Sequence, residues 1–193
     1  MQRVLVVGCS GAGKSTFSRR LAGLTGLPRI ELDHAYWRPG WTMPPKDEWL
    51  AKVAELCAEP AWILDGNYTS SLHVRLPHAD TVIWLDYPRF ICIRRVLGRI
   101  ARGYGRVRDG LPEGCPERFD LEFLRYIWNF NAKHKPRVAA ALEQFGSHVT
   151  LHMLRSDRDA ERLLAEVSTL APAPVSASPP QPPIPRSAPP SHG

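Results

Sequence analysis

The stretch VLVVGCSGAGKST, residues 4–16, constrains the fold of this chain more than any other feature. Its apolar run ends at Gly8, four residues follow, and Gly13-Lys14-Ser15 completes the pattern G-x-x-x-x-G-K-[ST] of a phosphate-binding loop. Such a loop needs a buried parallel strand before it and a helix after it. The run before Gly8 is apolar and rich in valine, and apolar residues recur at helical spacing after the loop. The stretch therefore predicts a strand, loop and helix that begin an α/β fold.

The residue types in this loop predict a site for a nucleoside triphosphate. Main-chain amides from Ser10 to Ser15 would hold phosphate oxygens, and the helix that starts near Lys14 would add the positive end of its dipole. Lys14 would reach the β- and γ-phosphates as a mobile cation, and the Ser15 hydroxyl would bind Mg²⁺. The predicted nucleotide contacts are Gly8, Ser10, Gly11, Ala12, Gly13, Lys14, Ser15, Thr16, Arg99 and Arg155.

Length and composition predict one domain followed by a tail. The chain has 193 residues, of which 44% are hydrophobic, and this suits a single full core over residues 1–170. Pro, Ser and Ala dominate residues 171–193, which predicts a disordered tail. The first strand begins almost at Met1, and no apolar run approaches the length of a membrane span. We therefore expect a cytoplasmic protein without a membrane partner, as a monomer or homodimer.

The net charge of +6 comes largely from arginine, and seven arginines lie between Arg89 and Arg108 without an acidic residue among them. Such a run fits either a polyphosphate or the backbone of a nucleic acid, and it also fits a solvated helix face. The phosphate-binding pattern favours a polyphosphate. No DNA-reading module is recognisable, so a nucleic acid partner is the less favoured alternative.

A candidate acceptor site follows the second strand, which is predicted over residues 27–32 and ends at Asp33. Ligands of open α/β sheets sit outside the carboxyl ends of the strands, so Asp33 is predicted to bind or deprotonate an acceptor. Residues 33–61 are predicted to form an acceptor-binding flap. Trp37 fits either stacking on the acceptor or packing of the flap, and Arg38 fits an anionic group of the acceptor.

The third strand is predicted at residues 62–65, and its terminal Asp65 has the form of a Walker B carboxylate. With Ser15, Asp65 is predicted to hold Mg²⁺, and it would do so through a water molecule. The residues expected to reach the acceptor after this strand are Gly66, Asn67, Tyr68 and Arg75.

The remaining elements follow from apolar periodicity and from the positions of Pro and Gly. In order, they are a fourth strand at 79–86, a long helix after Pro88, a helical stretch at 117–145 that is interrupted at Pro136, a fifth strand at 148–154 and a last helix. Residues 100–120, which follow the long helix, are rich in Gly, Pro and Arg. This composition predicts a mobile lid over residues 100–120.

Three segments together resemble the adenylate-kinase-related proteins often described as DNA topology modulation or flagellar-regulation proteins. They are Leu32-Asp33, Asp65-Gly66-Asn67-Tyr68 and the segment GCPERFD at 114–120. The resemblance covers roughly residues 1–168. It implies a P-loop NTPase fold of three α/β/α layers with a five-stranded parallel sheet in the order 2-3-1-4-5. It also implies ATP and Mg²⁺ as the donor, with arginines of the lid closing over the phosphates.

One segment departs from the adenylate-kinase pattern. Adenylate kinases carry an arginine after Asp-Gly-Phe-Pro, whereas Asn67-Tyr68-Thr69-Ser70 stands at that place here. The resemblance therefore does not extend to AMP as the acceptor, and nucleotides, nucleosides, sugars and small acids stay open.

Two functions of different classes follow from these observations. The first is a kinase that transfers the γ-phosphate of Mg-ATP to a small acceptor, with Lys14, Asp33, Arg95 and Arg99 in catalytic roles. A lid arginine is expected to join Arg99, and the candidates are Arg102, Arg106, Arg108 and Arg118. The second is a nucleic-acid-associated ATPase or regulator. A GTPase is disfavoured because the chain lacks the Asn-Lys-x-Asp guanine motif.

Overall fold

The computed structural model of the protein describes residues 1–170 and is built around a parallel sheet. Its five strands have the order β2-β3-β1-β4-β5, which confirms the predicted order. The strands are β1 (Arg3–Gly8), β2 (Arg29–Glu31), β3 (Trp62–Asp65), β4 (Thr81–Leu85) and β5 (Thr150–Leu154). The predicted disordered tail at 171–193 lies outside the described residues.

Helices cover both faces of this sheet and connect its strands. The α-helices are α1 (Lys14–Thr25), α2 (Leu32–Tyr36), α3 (Lys46–Ala58), α4 (Leu72–Arg75), α5 (Arg89–Gly103), α6 (Leu121–Lys133), α7 (Lys135–Phe145) and α8 (Asp157–Leu170). Two short 3₁₀ turns, Thr69–Ser71 and Leu76–His78, flank α4. Within residues 1–170, no helix combines the length and the apolar character that crossing a membrane requires.

The sheet separates two hydrophobic cores. Alternate side chains of β1 point to opposite faces, so Val4 and Val6 pack in one core while Leu5 and Val7 pack in the other. The first core is completed by α1, α5, α6 and α8, and the second by α3, α4 and α7. Because both faces of β1 are buried, its sequence is continuously apolar rather than alternating. The molecule therefore has the predicted three α/β/α layers.

The segment after β2 differs from the prediction. The second strand ends at Glu31, and Asp33 lies in the short helix α2 rather than at the end of the strand. The ring of Tyr36 at the end of α2 packs edge-on against Trp49 and tilted against Tyr68, at centroid distances of 4.9 and 4.6 Å. These tertiary contacts favour the helical turn, which is too short to be stable by itself.

The helical stretch predicted at 117–145 is two helices that meet at His134. Pro136 lies in the first turn of α7, where its missing N–H leaves no hydrogen bond unmade. α6 begins at Leu121 because the Asp120 carboxylate accepts hydrogen bonds from the amides of Glu122 and Phe123, at 2.9 and 3.0 Å. The lid therefore ends directly at the start of α6.

Candidate active site

The phosphate-binding loop, residues 8–15, packs tightly against its neighbours. Gly11 has φ +84°, and a Cβ there would lie 2.3 Å from the carbonyl oxygen of Cys92 in α5. A Cβ on Gly8 would lie 2.5 Å from the carbonyl oxygen of Leu85 in β4. Only glycine fits both places, so the loop is held close to the carboxyl end of β4 and the first turns of α5.

The start of α1 fits the phosphates of a nucleotide. α1 begins at Lys14, and its first turn has neither an acidic residue nor a side chain that caps its amides. Lys14 lies across the loop and donates from Nζ to the carbonyl oxygen of Cys9 at 3.1 Å. The uncapped amides and the Lys14 ammonium are the donor set that phosphate oxygens require.

The end of β3 brings Asp65 next to the first turns of α1. Asp65 is only 4% exposed and accepts a hydrogen bond from Ser18 Oγ at 3.1 Å. Burial raises the pKa of the Asp65 carboxyl, while Lys14 and the Ser15 hydroxyl oppose that shift. Asp33 is also close enough to raise this pKa. Asp65 pairs in register with Val6 of β1 and with Glu31 of β2. The phosphate loop after β1 and Asp33 after β2 therefore lie at the same edge of the sheet as Asp65.

The residues around Asp65 fit a magnesium ion that is shared with phosphate. Among residues 1–170 there is no group of three or more His, Cys, Asp or Glu side chains that could hold a metal alone. Mg²⁺ usually binds to one or two protein oxygens and to substrate phosphates, and it keeps several waters. Ser15 and Asp65 are such a pair, and their predicted role as metal residues stays a prediction.

The Asp33 carboxylate is fixed by donors on both of its oxygens. Tyr68 Oη donates to Asp33 Oδ1 at 2.8 Å, and Arg108 Nη2 donates to Asp33 Oδ2 at 3.0 Å. Burial raises the pKa of Tyr68, and the nearby Asp33 carboxylate raises it further. Tyr68 is therefore a protonated donor, and Asp33 is an oriented acceptor of hydrogen bonds.

Arg75 lies beneath the loop of residues 66–68 that follows β3, called the acceptor loop below because its residues are predicted to contact an acceptor. The Arg75 side chain binds the backbone of this loop. It is completely buried and donates to three successive carbonyl oxygens, those of Gly66, Asn67 and Tyr68, at 3.0, 2.7 and 2.9 Å. Burial lowers the pKa of Arg75 to about 10. The predicted acceptor contact of Arg75 is corrected accordingly: the side chain supports the loop backbone, in which Tyr68 has the unusual φ of +22°.

Asn67 carries a free hydrogen-bond acceptor at this loop. The residue is 7% exposed, and its Oδ1 atom has no hydrogen-bond partner among the described residues. Burial raises the pKa of Tyr126 on α6, while the amide of Asn67 lowers it. Asn67 therefore lies between the acceptor loop and α6. An unsatisfied buried amide oxygen is the kind of group that a donor on a ligand would satisfy.

The lid brings Arg99 and Arg108 to one carboxylate, that of Glu117. Glu117 Oε1 lies 2.7 Å from Arg99 Nε and 3.3 Å from Arg108 Nε, and the Glu117 side chain is 6% exposed. Neither contact has hydrogen-bond alignment, so the attraction is mainly between charges. Of the lid arginines that the sequence offered, Arg108 is the one next to Arg99. Glu117 was not predicted as a site residue, because only the folded lid reveals its two partners.

Arg95 lies on the nucleotide side of the site. Its Nη1 donates to the carbonyl oxygen of Ala12 at 3.2 Å, and its Nη2 pairs with Asp157 at 2.7 Å. It borders a cleft of about 220 Å³ beside the phosphate loop, between α1 and α8. Thr16 also lines this cleft, whereas Arg155 does not. The Arg155 side chain is exposed and approaches Met153 Sδ at 3.5 Å, and its predicted contact with a nucleotide stays a prediction.

The side chains of Trp37 and Arg38 make their contacts within the flap. Trp37 packs edge-on against Tyr36 and Trp41 at 5.0 and 5.3 Å, which is the packing alternative of the prediction. Arg38 is exposed and pairs with Glu48 on α3. In this arrangement the Arg38 guanidinium group is engaged by Glu48, and its predicted contact with an acceptor stays a prediction.

The flap and the lid contact each other. The Gly40 amide donates to the carbonyl oxygen of Gly114 at 2.9 Å, and Trp41 Nε1 donates to that of Pro116 at 3.2 Å. The Arg108–Asp33 pair is a third link between these segments. The acceptor side of the site is thus closed by contacts between two segments far apart in sequence.

No protein-family model matches this chain, and no curated protein matches it in sequence. Among solved structures it is similar to shikimate kinase from Acinetobacter baumannii in complex with shikimate, with 18% identity and a TM-score of 0.56 over 88% of this chain and 92% of that one. It is also similar to an unliganded sugar kinase from Janibacter sp. HTCC2649, with 22% identity and a TM-score of 0.51 over 92% of this chain and 99% of that one. Strand order, flanking helices and these similarities together identify the fold of the chain as the P-loop kinase fold.

Proposed function

We propose that this chain is an ATP-dependent phosphotransferase that moves the γ-phosphate of Mg-ATP to a small metabolite. The observation that carries the proposal is the meeting of two sides at Asp65. Asp65 ends β3 between β1, which leads into the phosphate loop, and β2, which leads into Asp33. The Asp33 carboxylate is oriented by Tyr68 and Arg108. A donor of phosphate and an acceptor bound at these two sides would be close enough for direct transfer.

The residues of the site have separate roles in the in-line transfer of the phosphoryl group. The loop amides and Lys14 hold the triphosphate, and Ser15 with Asp65 would hold Mg²⁺, which neutralises phosphate charge when it is bound. Asp33 orients the acceptor hydroxyl and takes its proton as the new bond from that oxygen to Pγ forms. The bond from Pγ to the bridging oxygen breaks, and ADP leaves with that oxygen. Arg99 and Arg108 offset the negative charge on the transferring group.

The acceptor is proposed to be a small molecule with a hydroxyl or phosphate group. The similar solved structures, a kinase bound to shikimate and a sugar kinase, support this size class. The adenylate-kinase-like subtype, the cytoplasmic location and the monomeric or dimeric state stay predictions. The same holds for Gly66, Asn67 and Tyr68 as acceptor contacts, although the free Oδ1 of Asn67 supports a role for that residue.

Two variants separate nucleotide binding from transfer. Lys14→Ala removes the cation at the β- and γ-phosphates, and we expect it to lower turnover by at least about 10²-fold. Asp33→Asn keeps the shape but removes the base, so Mg-ATP affinity should stay within about twofold while transfer is lost. Calorimetry measures the affinity for Mg-ATP. Transfer is measured by a turnover screen of nucleoside monophosphates, nucleosides, sugars and sugar acids. Near-native transfer by Lys14→Ala would refute the proposal.

A further inference from the structure

Glu117 occupies an unusual place in the lid, because one buried carboxylate faces two arginines. The same oxygen, Oε1, lies 2.7 Å from Arg99 Nε and 3.3 Å from Arg108 Nε. The two guanidinium groups come from different segments: Arg99 lies on α5, and Arg108 lies in the irregular part of the lid. Without a negative charge between them, two cations so close together in a poorly solvated place would repel each other.

The contacts leave both Nη atoms of Arg99 and one Nη atom of Arg108 for other partners. Glu117 Oε1 approaches the two Nε atoms. Arg108 uses Nη2 on Asp33, and neither Nη atom of Arg99 has a hydrogen-bond partner within residues 1–170. A guanidinium group that a carboxylate attracts at its Nε has further Nη donors, which suit the oxygens of a phosphoryl group.

The main chain of Glu117 has a separate, structural role. Its amide donates to the carbonyl oxygen of Arg106, and its carbonyl oxygen accepts from the Gly105 amide, both at 2.9 Å. These bonds close the stem of the lid and do not involve the side chain. A change of the side chain alone therefore leaves the stem in place.

We propose that Glu117 is a positioning residue for phosphoryl transfer, which holds Arg99 and Arg108 side by side so that both reach the transferring group. This inference rests on the proposed function. Burial lowers the pKa of Arg99, the neighbouring Arg108 lowers it further, and Glu117 opposes both effects. Glu117 acts through the two arginines and touches no substrate itself.

The test compares the affinities of Mg-ADP with and without aluminium fluoride, measured by calorimetry. The fluoride complex imitates the transferring phosphoryl group, and no acceptor needs to be known. We expect the wild-type protein to bind the complex more tightly than Mg-ADP. Glu117→Gln should reduce this gain at least tenfold while the affinity for Mg-ADP changes less than twofold. Glu113→Gln, an identical change at an exposed lid position, should have no effect.

A double-mutant cycle tests whether Glu117 acts through the arginines. Arg99→Lys and Arg108→Lys should each lose less of the fluoride gain in the Glu117→Gln protein than in the wild type. Glu117→Asp, which keeps the charge, should fall between wild type and Glu117→Gln, and it serves as the test protein if Glu117→Gln does not fold. Urea unfolding of each variant checks that the lid change leaves the domain folded.

The possible failures are distinguishable. An unchanged fluoride gain in Glu117→Gln, or equal losses in the fluoride gain and in Mg-ADP affinity, would overturn the positioning role and leave the proposed function standing. A wild-type protein that binds Mg-ADP without any fluoride gain would also overturn the positioning role. A wild-type protein that does not bind Mg-ADP at all would refute the proposed function, and this inference with it.

Discussion

At the scale of single residues, the predicted acceptor side depends on the guanidinium group of Arg75, which is completely buried. Arg75 binds the carbonyl oxygens of Gly66, Asn67 and Tyr68 from below. Tyr68 at φ +22° needs such support, because a side chain is strained in this region of φ. The loop that positions the Tyr68 hydroxyl against Asp33 is therefore held from inside the protein.

We predict that Arg75→Met lowers the free energy of unfolding by at least about 3 kcal/mol, because each buried carbonyl left unsatisfied costs about 1–3 kcal/mol. Urea denaturation followed by circular dichroism measures the effect. Arg94→Met, at an exposed position of α5, makes the same substitution and should stay within about 0.5 kcal/mol of wild type. Equal effects of the two substitutions would contradict the support role.

The same residues show where sequence reasoning about the site stops. Asp33 and Asp65 could be predicted, since each follows or ends a strand and strand ends of a parallel sheet meet at one edge. Arg75, Arg38 and Arg155 were all predicted to reach ligands, since a guanidinium group suits anionic ligands. Their actual directions depend on contacts between distant segments, and nothing in local spacing records such contacts.

At the scale of elements, the phosphate loop and α5 form one packed unit. A Cβ on Gly11 would meet the Cys92 carbonyl oxygen at 2.3 Å and Val96 Cγ2 at 2.9 Å. Displacing the loop from α5 would also shift Arg95 and Arg99, which α5 carries on the side of the site. The geometry of the nucleotide site therefore depends on the close approach of loop and helix at a single glycine.

Gly11→Ala is expected to lower the free energy of unfolding by about 1–3 kcal/mol, because it overpacks the contact with α5. Mg-ATP affinity should fall with it. Gly23→Ala on α1 is the matched control, since nothing lies within 4 Å of its added Cβ. That change should raise stability by about 0.5–1 kcal/mol, because alanine favours a helix. Thermal unfolding and calorimetry report both quantities, and a neutral Gly11→Ala would argue against the packing role.

Elements with strong local signals could be predicted, and those held by tertiary contacts could not. β1, its loop and α1 follow directly from a motif, a run of apolar residues and helical spacing. α2 and α4 are only five and four residues long, and such short helices form where packing favours them. This explains why Asp33 was expected at the end of a strand and lies in a helix.

At the scale of the whole molecule, the arginine run does not form a continuous basic surface. Arg95, Arg99 and Arg108 pair with Asp157, Glu117 and Asp33. Arg89 stacks over the ring of Trp128 at 4.1 Å. Three of the seven positive charges that would make a nucleic acid site are thus paired with carboxylates of the protein, which argues against the nucleic-acid-associated alternative.

We therefore predict weak binding to DNA, with a dissociation constant above about 10⁻⁴ M for a short duplex at physiological salt, at or beyond the weak end of ordinary non-specific binding. Fluorescence anisotropy over a range of salt concentrations measures both affinity and its salt slope. Micromolar binding whose affinity falls steeply with salt would support the nucleic-acid-associated ATPase or regulator instead.

The contacts of Gly40 with Gly114 and of Trp41 with Pro116 have a consequence for how two substrates bind. If the first substrate to bind orders either the flap or the lid, the contacts between them order the other segment too. The second substrate would then bind to a site that is already pre-organised. Thermodynamic linkage makes this effect reciprocal. If bound nucleotide increases the affinity for the acceptor by some factor, bound acceptor increases the affinity for the nucleotide by the same factor. Saturation curves for the two substrates would then shift in step, whichever is added first.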